Sequence, residues 1–106
     1  MNKKKVYIAG AISNNPDYEK DFREAEELLK DRGFVPLSPV KPLGFDYKQY
    51  IDMGLNELMH CDAICVLVSE YQSSGMMLEI KYAETAGLEI FYIKNGKIYT
   101  SSADEF

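Results

Sequence analysis

Two adjoining stretches decide the fold. Ala63-Ile64-Cys65-Val66-Leu67-Val68 is an unbroken apolar run, and after a short polar link comes Ser73-Ser74-Gly75-Met76-Met77-Leu78-Glu79. The first has the length and β-branched content of a strand buried on both faces. The second opens a helix that continues through Ile80-Lys81-Tyr82-Ala83-Glu84-Thr85-Ala86. A strand that ends in Ser-Ser-Gly and turns into a helix leaves backbone N–H groups pointing at whatever lies above the sheet. The serines can cap the helix or hold an anion, and Gly75 lets a ligand approach the backbone. Glu79 falls about one turn into this helix, near its positive end. A carboxylate there is either a surface charge complementing the helix dipole or a reacting group beside a ligand.

Working outward from that unit, the same alternation recurs. Val6-Tyr7-Ile8-Ala9-Gly10 reads as a first buried strand, followed by a turn-rich loop from Gly10 to Asp17. That loop is either a wall of a ligand crevice or a plain connection. Asp17 to Arg32 has Phe22, Ala25, Leu28 and Leu29 at helical spacing and an acidic start, and Gly33 stops it. Phe34-Val35-Pro36-Leu37 is a short strand whose proline suits a sheet edge. Residues 38 to 46 hold two prolines and a glycine and read as a loop over a strand end, with Phe45 as either a ligand-stacking ring or a hydrophobic anchor.

Asp46 reads as the cap of a helix from Tyr47 to His60 with an apolar stripe of Tyr50, Ile51, Leu55, Leu58 and Met59. Gly54 interrupts this helix at a cost of about 1 kcal/mol relative to alanine, which suggests a close approach or simple tolerance. His60 reads as a partner for the helix's carboxyl end. Gly87 ends the last helix, Leu88 to Ile93 form a fourth strand, and Asn95-Gly96 signals a hairpin into Lys97-Ile98-Tyr99-Thr100. Ser101 to Phe106 reads as a frayed tail.

The 106 residues suit one domain spanning 1–106. The order β-α-β-α-β-α-β-β predicts an α/β, doubly wound, mainly parallel sheet of four to five strands, flavodoxin-like, with helices on both faces. A net charge of −5 argues against a nucleic-acid polymer as partner but leaves a single nucleotide open. Lys3-Lys4-Lys5 reads as a solvating terminus. Cys61 and Cys65 read as small core residues of a reducing compartment, and the single histidine offers no His-rich metal site. No apolar run has membrane-spanning length and no signal-peptide core is evident, so a cytoplasmic protein is expected.

Val6-Tyr7-Ile8-Ala9-Gly10-Ala11-Ile12-Ser13 resembles the opening strand and loop of the nucleoside 2-deoxyribosyltransferase-like superfamily. Cys61-Asp62-Ala63 with its strand, Ser73-Ser74-Gly75, and Glu79 ahead of Ala83, Ala86 and Gly87 resemble its second half. The likeness spans roughly Lys5 to Ile93 and is strongest to the small DUF4406 group. It implies Glu79 as a nucleophile toward the anomeric carbon of a 2-deoxyribosyl group, and Tyr7 as the residue orienting it.

It further implies that the Gly10–Ser13 loop and the Ser73–Gly75 helix start hold the sugar and a 5′-phosphate. The candidate set is thus Glu79 and Tyr7 as catalytic residues, with Gly10, Ala11, Ile12, Ser13, Asp46, Ser73, Ser74 and Gly75 as substrate-binding residues. No metal and no cofactor are expected. The partner is a small nucleoside or nucleotide, and a homo-oligomer is expected; the stripe Met53, Met76, Met77 and Tyr82 is compatible with a partner surface and equally with core packing. Expected activity is N-glycosidic hydrolysis or deoxyribosyl transfer; the alternative is an inactive nucleotide-binding module. The resemblance has two departures: Lys81 replaces the family's usual glycine after Glu79's neighbour, and Gly54 replaces an acid. Active members carry a base-protonating aspartate where this chain has Gly54, and Asp52 and Asn56 point to other faces of the helix.

Overall fold

The computed structural model describes residues 3–12, 14–39, 44 and 46–100. Eight elements follow in order: β1 (Lys5–Ala9), α1 (Tyr18–Asp31), β2 (Val35–Leu37), α2 (Tyr47–Leu58), β3 (Ala63–Leu67), α3 (Ser74–Ala86), β4 (Glu89–Lys94) and β5 (Lys97–Thr100). The strands form one sheet in the order β2-β1-β3-β4-β5. All neighbours are parallel except β4 and β5. This is the expected doubly wound, flavodoxin-like α/β architecture.

Alternation along the strands sends side chains to two layers. Val6, Ile8, Cys65 and Phe91 pack against Phe22, Ala25 and Leu29 of α1. Tyr7, Ile64 and Val66 face the other way, toward Leu58 of α2 and Met76 and Ala83 of α3. Helices therefore cover both faces.

Local chemistry sets the boundaries. At the end of α1, the N–H of Gly33 donates to the Lys30 carbonyl and that of Phe34 to the Leu29 carbonyl, with Gly33 at φ +85°. At the end of α3, Gly87 at φ +73° and Leu88 make the same pair of bonds to Glu84 and Ala83. Both are Schellman motifs, which satisfy the last carbonyls of a helix through a left-handed residue. Asn95 (φ 52°) and Gly96 (φ 75°) supply the two positive φ values of a type I′ hairpin between β4 and β5. On the opposite margin, the Val35 N–H donates inward to the Lys4 carbonyl, so the next residue, Pro36, turns outward where its missing N–H breaks no ladder bond.

One reading of the apolar pattern needs correction. Met59 is 59% exposed: α2 stops at Leu58 and Met59 is its C-cap. Of the two readings open for Met76, core packing holds: it belongs to the α2/α3-side core, whereas its neighbours Met77 and Leu78 are exposed. His60, now just past the helix, pairs through Nδ1 with the Asn56 carbonyl at 2.8 Å, the expected place at the carboxyl end. Both cysteines are free and buried; burial pushes Cys65 up to about 12 and Cys61 up to about 11. No helix among the described residues is long and apolar enough to cross a membrane.

Candidate active site

The chain leaves β1 outward to β2 and returns across β1 to β3, so the order reverses between β1 and β3. In open α/β sheets ligands bind beyond the strand ends at such a switch point. The loop after β1 and the loop after β3 meet here. The side-chain amide of Asn14 donates to the Gln72 carbonyl at 3.0 Å. Neither residue stood out in the sequence; an asparagine inside a run of turn formers was the only signal. Asn15, the one buried polar residue among the described residues of the loop, stiffens it by accepting the Asp17 N–H and donating to Asp21.

Beneath these loops lies the polar centre of the α2/α3 layer. Tyr7 sits mid-strand in β1, fully buried, and its ring faces the two helices. Its hydroxyl donates to Glu79 Oε2 at 2.5 Å, although 72 residues separate the two. That length belongs to the short, charge-assisted class of O–H···O⁻ bonds. Glu79 is the sixth residue of α3 and half-buried, on the helix face shared with buried Met76 and Ala83. Burial, then the Glu79 charge and its hydrogen bond, hold the Tyr7 hydroxyl protonated well above the usual phenol range. Glu57 adds a smaller push on Tyr7, and burial raises Glu57's own carboxyl.

Helix α2 closes over this pair at Gly54. A Cβ built on Gly54 would stand 2.6 Å from Glu79 Oε2 and 2.9 Å from the Tyr7 hydroxyl. Both contacts are far inside van der Waals range, so the glycine marks a close approach and not mere tolerance. Asp52 and Asn56, two residues to either side, are exposed.

The remaining expected site residues occupy several settings. Ser73 caps α3, its hydroxyl accepting the Met76 N–H at 3.2 Å, with exposed Ser74 and half-buried Gly75 in the first turn. Asp46 caps α2 in a full capping box: its Oδ1 accepts the Gln49 N–H, and the Gln49 side chain accepts the Asp46 N–H. A Cβ on Gly10 would meet Leu67 at 2.9 Å and Phe22 at 3.2 Å, so this glycine lets the β1 end pack tightly on the α1 side. Ala11 is buried and Ile12 packs against the α1-side core. Ser13 and Phe45 lie outside the described residues. The structure thus brings Tyr7, Glu79 and Gly54 into contact and ties the β1 loop to the segment leading into Ser73. It places Asp46 at the start of the adjoining helix. Among the described residues, no three His, Cys, Asp or Glu side chains gather as metal ligands.

Comparison with known proteins agrees with this fold. The model of a domain of unknown function, DUF4406, matches residues 4–92. A 2-desoxiribosyltransferase from Leishmania mexicana superposes with a TM-score of 0.69 at 25% identity, over 85% of this chain and 63% of that one. The chain thus spans less than two thirds of the Leishmania protein's length. The Clostridium botulinum CMP N-glycosidase BcmB gives 0.63 at 18% identity, over 84% of this chain and 70% of that one. A solute-binding protein of an Agrobacterium vitis ABC transporter, with bound allitol, shares the fold at 0.57 and 19% identity, over 89% of this chain and 32% of that one. No curated protein matches the sequence. With its sheet order and a family match over residues 4–92, the chain belongs to the DUF4406 family, within the nucleoside 2-deoxyribosyltransferase-like superfamily.

Proposed function

We propose that this protein breaks the N-glycosidic bond of a (deoxy)nucleoside or nucleoside 5′-monophosphate, with Glu79 as nucleophile, and passes the sugar to water or to a second base. The observation that carries this reading is the hydrogen bond from the buried Tyr7 hydroxyl to Glu79 Oε2 at the sheet's switch point. A surface carboxylate serving only the helix dipole has no need of a buried phenol. Tyr7 anchors one oxygen and so fixes how the carboxylate faces the sugar. As the base leaves, positive charge builds at the anomeric carbon, and a carboxylate on the opposite face stabilises or traps it. Attack of a Glu79 oxygen on C1′ gives a glycosyl ester, and water or an incoming base then releases the sugar and restores the carboxylate.

The Ser73–Gly75 helix start and the loop from Gly10 to Ser13 serve, in this reading, as the cradle for sugar hydroxyls and phosphate. The activities named for the Leishmania and Clostridium neighbours support the same bond type. The test is incubation with a panel of deoxynucleosides, nucleosides and their monophosphates, followed by chromatography for free base. Base release by wild type and none by Glu79→Ala is the expected result; equal release by both sinks the mechanism.

A second reading has one observation in its favour. Gly54 stands where the resemblance implies a base-protonating acid, so the site would bind nucleotides without turning them over. Thermal stabilisation by nucleotides, with no base released from any, would select it.

A further inference from the structure

Position 54 does more than lack an acid; it has no room for one. With the Tyr7 ring fully buried, a side chain at 54 fits only if the Glu79 carboxylate shifts from its observed place on the Tyr7 hydroxyl. An acid at 54 and a Glu79 held as observed exclude each other. Other donors on the described residues are badly placed. Asp52 and Asn56 are exposed on other faces of α2. Asp46 is exposed and held at the start of α2, its Oδ1 accepting the Gln49 N–H. The Tyr7 hydroxyl gives its proton to Glu79, and burial with that charge makes it a reluctant acid. Glu57 shares the Gly54 face of α2 but lies in its last turn, beside Cys61 and the start of β3, away from the strand ends where the loops meet.

We propose that this site acts on N-glycosides whose departing heterocycle already carries a positive charge, such as pyridinium or N7-alkylated purine glycosides. The inference rests on the glycosidic reading above and narrows its substrate class. With such a substrate, the C1′–N bond breaks, its electron pair returns to the ring nitrogen, and the heterocycle leaves neutral with no proton supplied. A Glu79 oxygen bonds C1′ in the same step. Water then attacks C1′, the ester opens, the carboxylate regains its charge, and the water's proton passes to solvent. A neutral base would instead have to leave as an anion unless a donor protonated it.

The probe is a matched pair, 7-methyl-2′-deoxyguanosine and 2′-deoxyguanosine, each with and without a 5′-phosphate, at a pH where the methylated ring keeps its charge. For each, kcat/KM is divided by the spontaneous rate of base loss, because the methylated member is intrinsically more labile. Without an enzymic acid the two enhancements agree within about ten-fold, since general acid catalysis, worth about 10²–10⁴-fold, helps neither. Raw kcat/KM then favours the methylated member by the ratio of the spontaneous rates, and Glu79→Gln abolishes turnover of both. An enhancement at least about 10²-fold greater for the neutral member overturns the inference and leaves the glycosidic reading standing. So does selective loss of neutral-substrate turnover in Glu57→Gln, which would expose Glu57 as the acid. Base release from no member of the pair and from no nucleotide in the wider panel removes both.

Discussion

The two faces of the sheet are built from the same strands and do different work. On the α1 side, Val6, Ile8, Cys65 and Phe91 meet Phe22 and Leu29 in a wholly apolar layer. On the α2/α3 side, a comparable apolar layer surrounds the Tyr7 hydroxyl, the half-buried Glu79 and a helix backbone too close for any side chain at Gly54. An apolar layer tolerates small rearrangements because its contacts have no direction. A buried hydrogen bond to a carboxylate tolerates few, because leaving either partner unsatisfied costs its full desolvation. One face supplies stability with little geometric demand, and the other holds one carboxylate in place at some risk to stability.

Substitutions can separate the two. Glu79→Gln is expected to lower base release by about 10³-fold or more, equivalent to about 4 kcal/mol of barrier, with the circular dichroism spectrum unchanged. Leu29→Ala does the converse: it should cost about 2–5 kcal/mol in denaturant unfolding while base release well below the melting point persists. Equal damage to activity from both variants would erase the distinction between the faces.

Tyr7→Phe removes the donor and is expected to cost about 1.5–3 kcal/mol, with activity lost alongside. It also carries a pH signature. The Tyr7 pKa is raised in the folded protein, so its stabilising contribution is intact below the ordinary phenol value near 10 and is lost as pH rises beyond it. Wild-type stability should therefore fall more steeply with pH on the alkaline side than that of Tyr7→Phe; parallel slopes would mean that Tyr7 is not the buried phenol described.

The smallest effect is the most diagnostic. Gly54→Ala should raise helix propensity by about 1 kcal/mol, yet it forces Glu79 off Tyr7 and loses a charge-assisted bond worth about 1.5–3 kcal/mol. A net loss of about 1 kcal/mol in urea unfolding is expected. A gain in stability would show that α2 stands farther from the pair than the coordinates place it.

Most of the fold was legible in the sequence because its boundaries are local. Gly33, Gly87 and Asn95-Gly96 sit where positive φ is required, and each is read within a few residues of itself. Asp46 and Ser73 are likewise read as caps from their own neighbourhoods. The site was legible only through resemblance. Period-two alternation puts Tyr7 on one face of a strand, but nothing in either local pattern says that a residue 72 positions on will accept its proton. Gly54 was visible as an oddity, and its contact with Glu79 was not, since that depends on how closely two helices approach. Met76 stayed open between core and partner surface for a related reason. Met76 and Met77 are adjacent in sequence but about 100° apart on a helix, so one enters the core and the other faces solvent.

Pro36 has a consequence beyond closing the sheet neatly. Within the three-residue β2, Val35 donates its amide inward, and alternation turns only the middle residue toward the outside. That residue has no amide hydrogen to offer. An extended segment from a misfolded neighbour that slid alongside would find a carbonyl and no donor, so templated cross-β growth has no purchase on this margin.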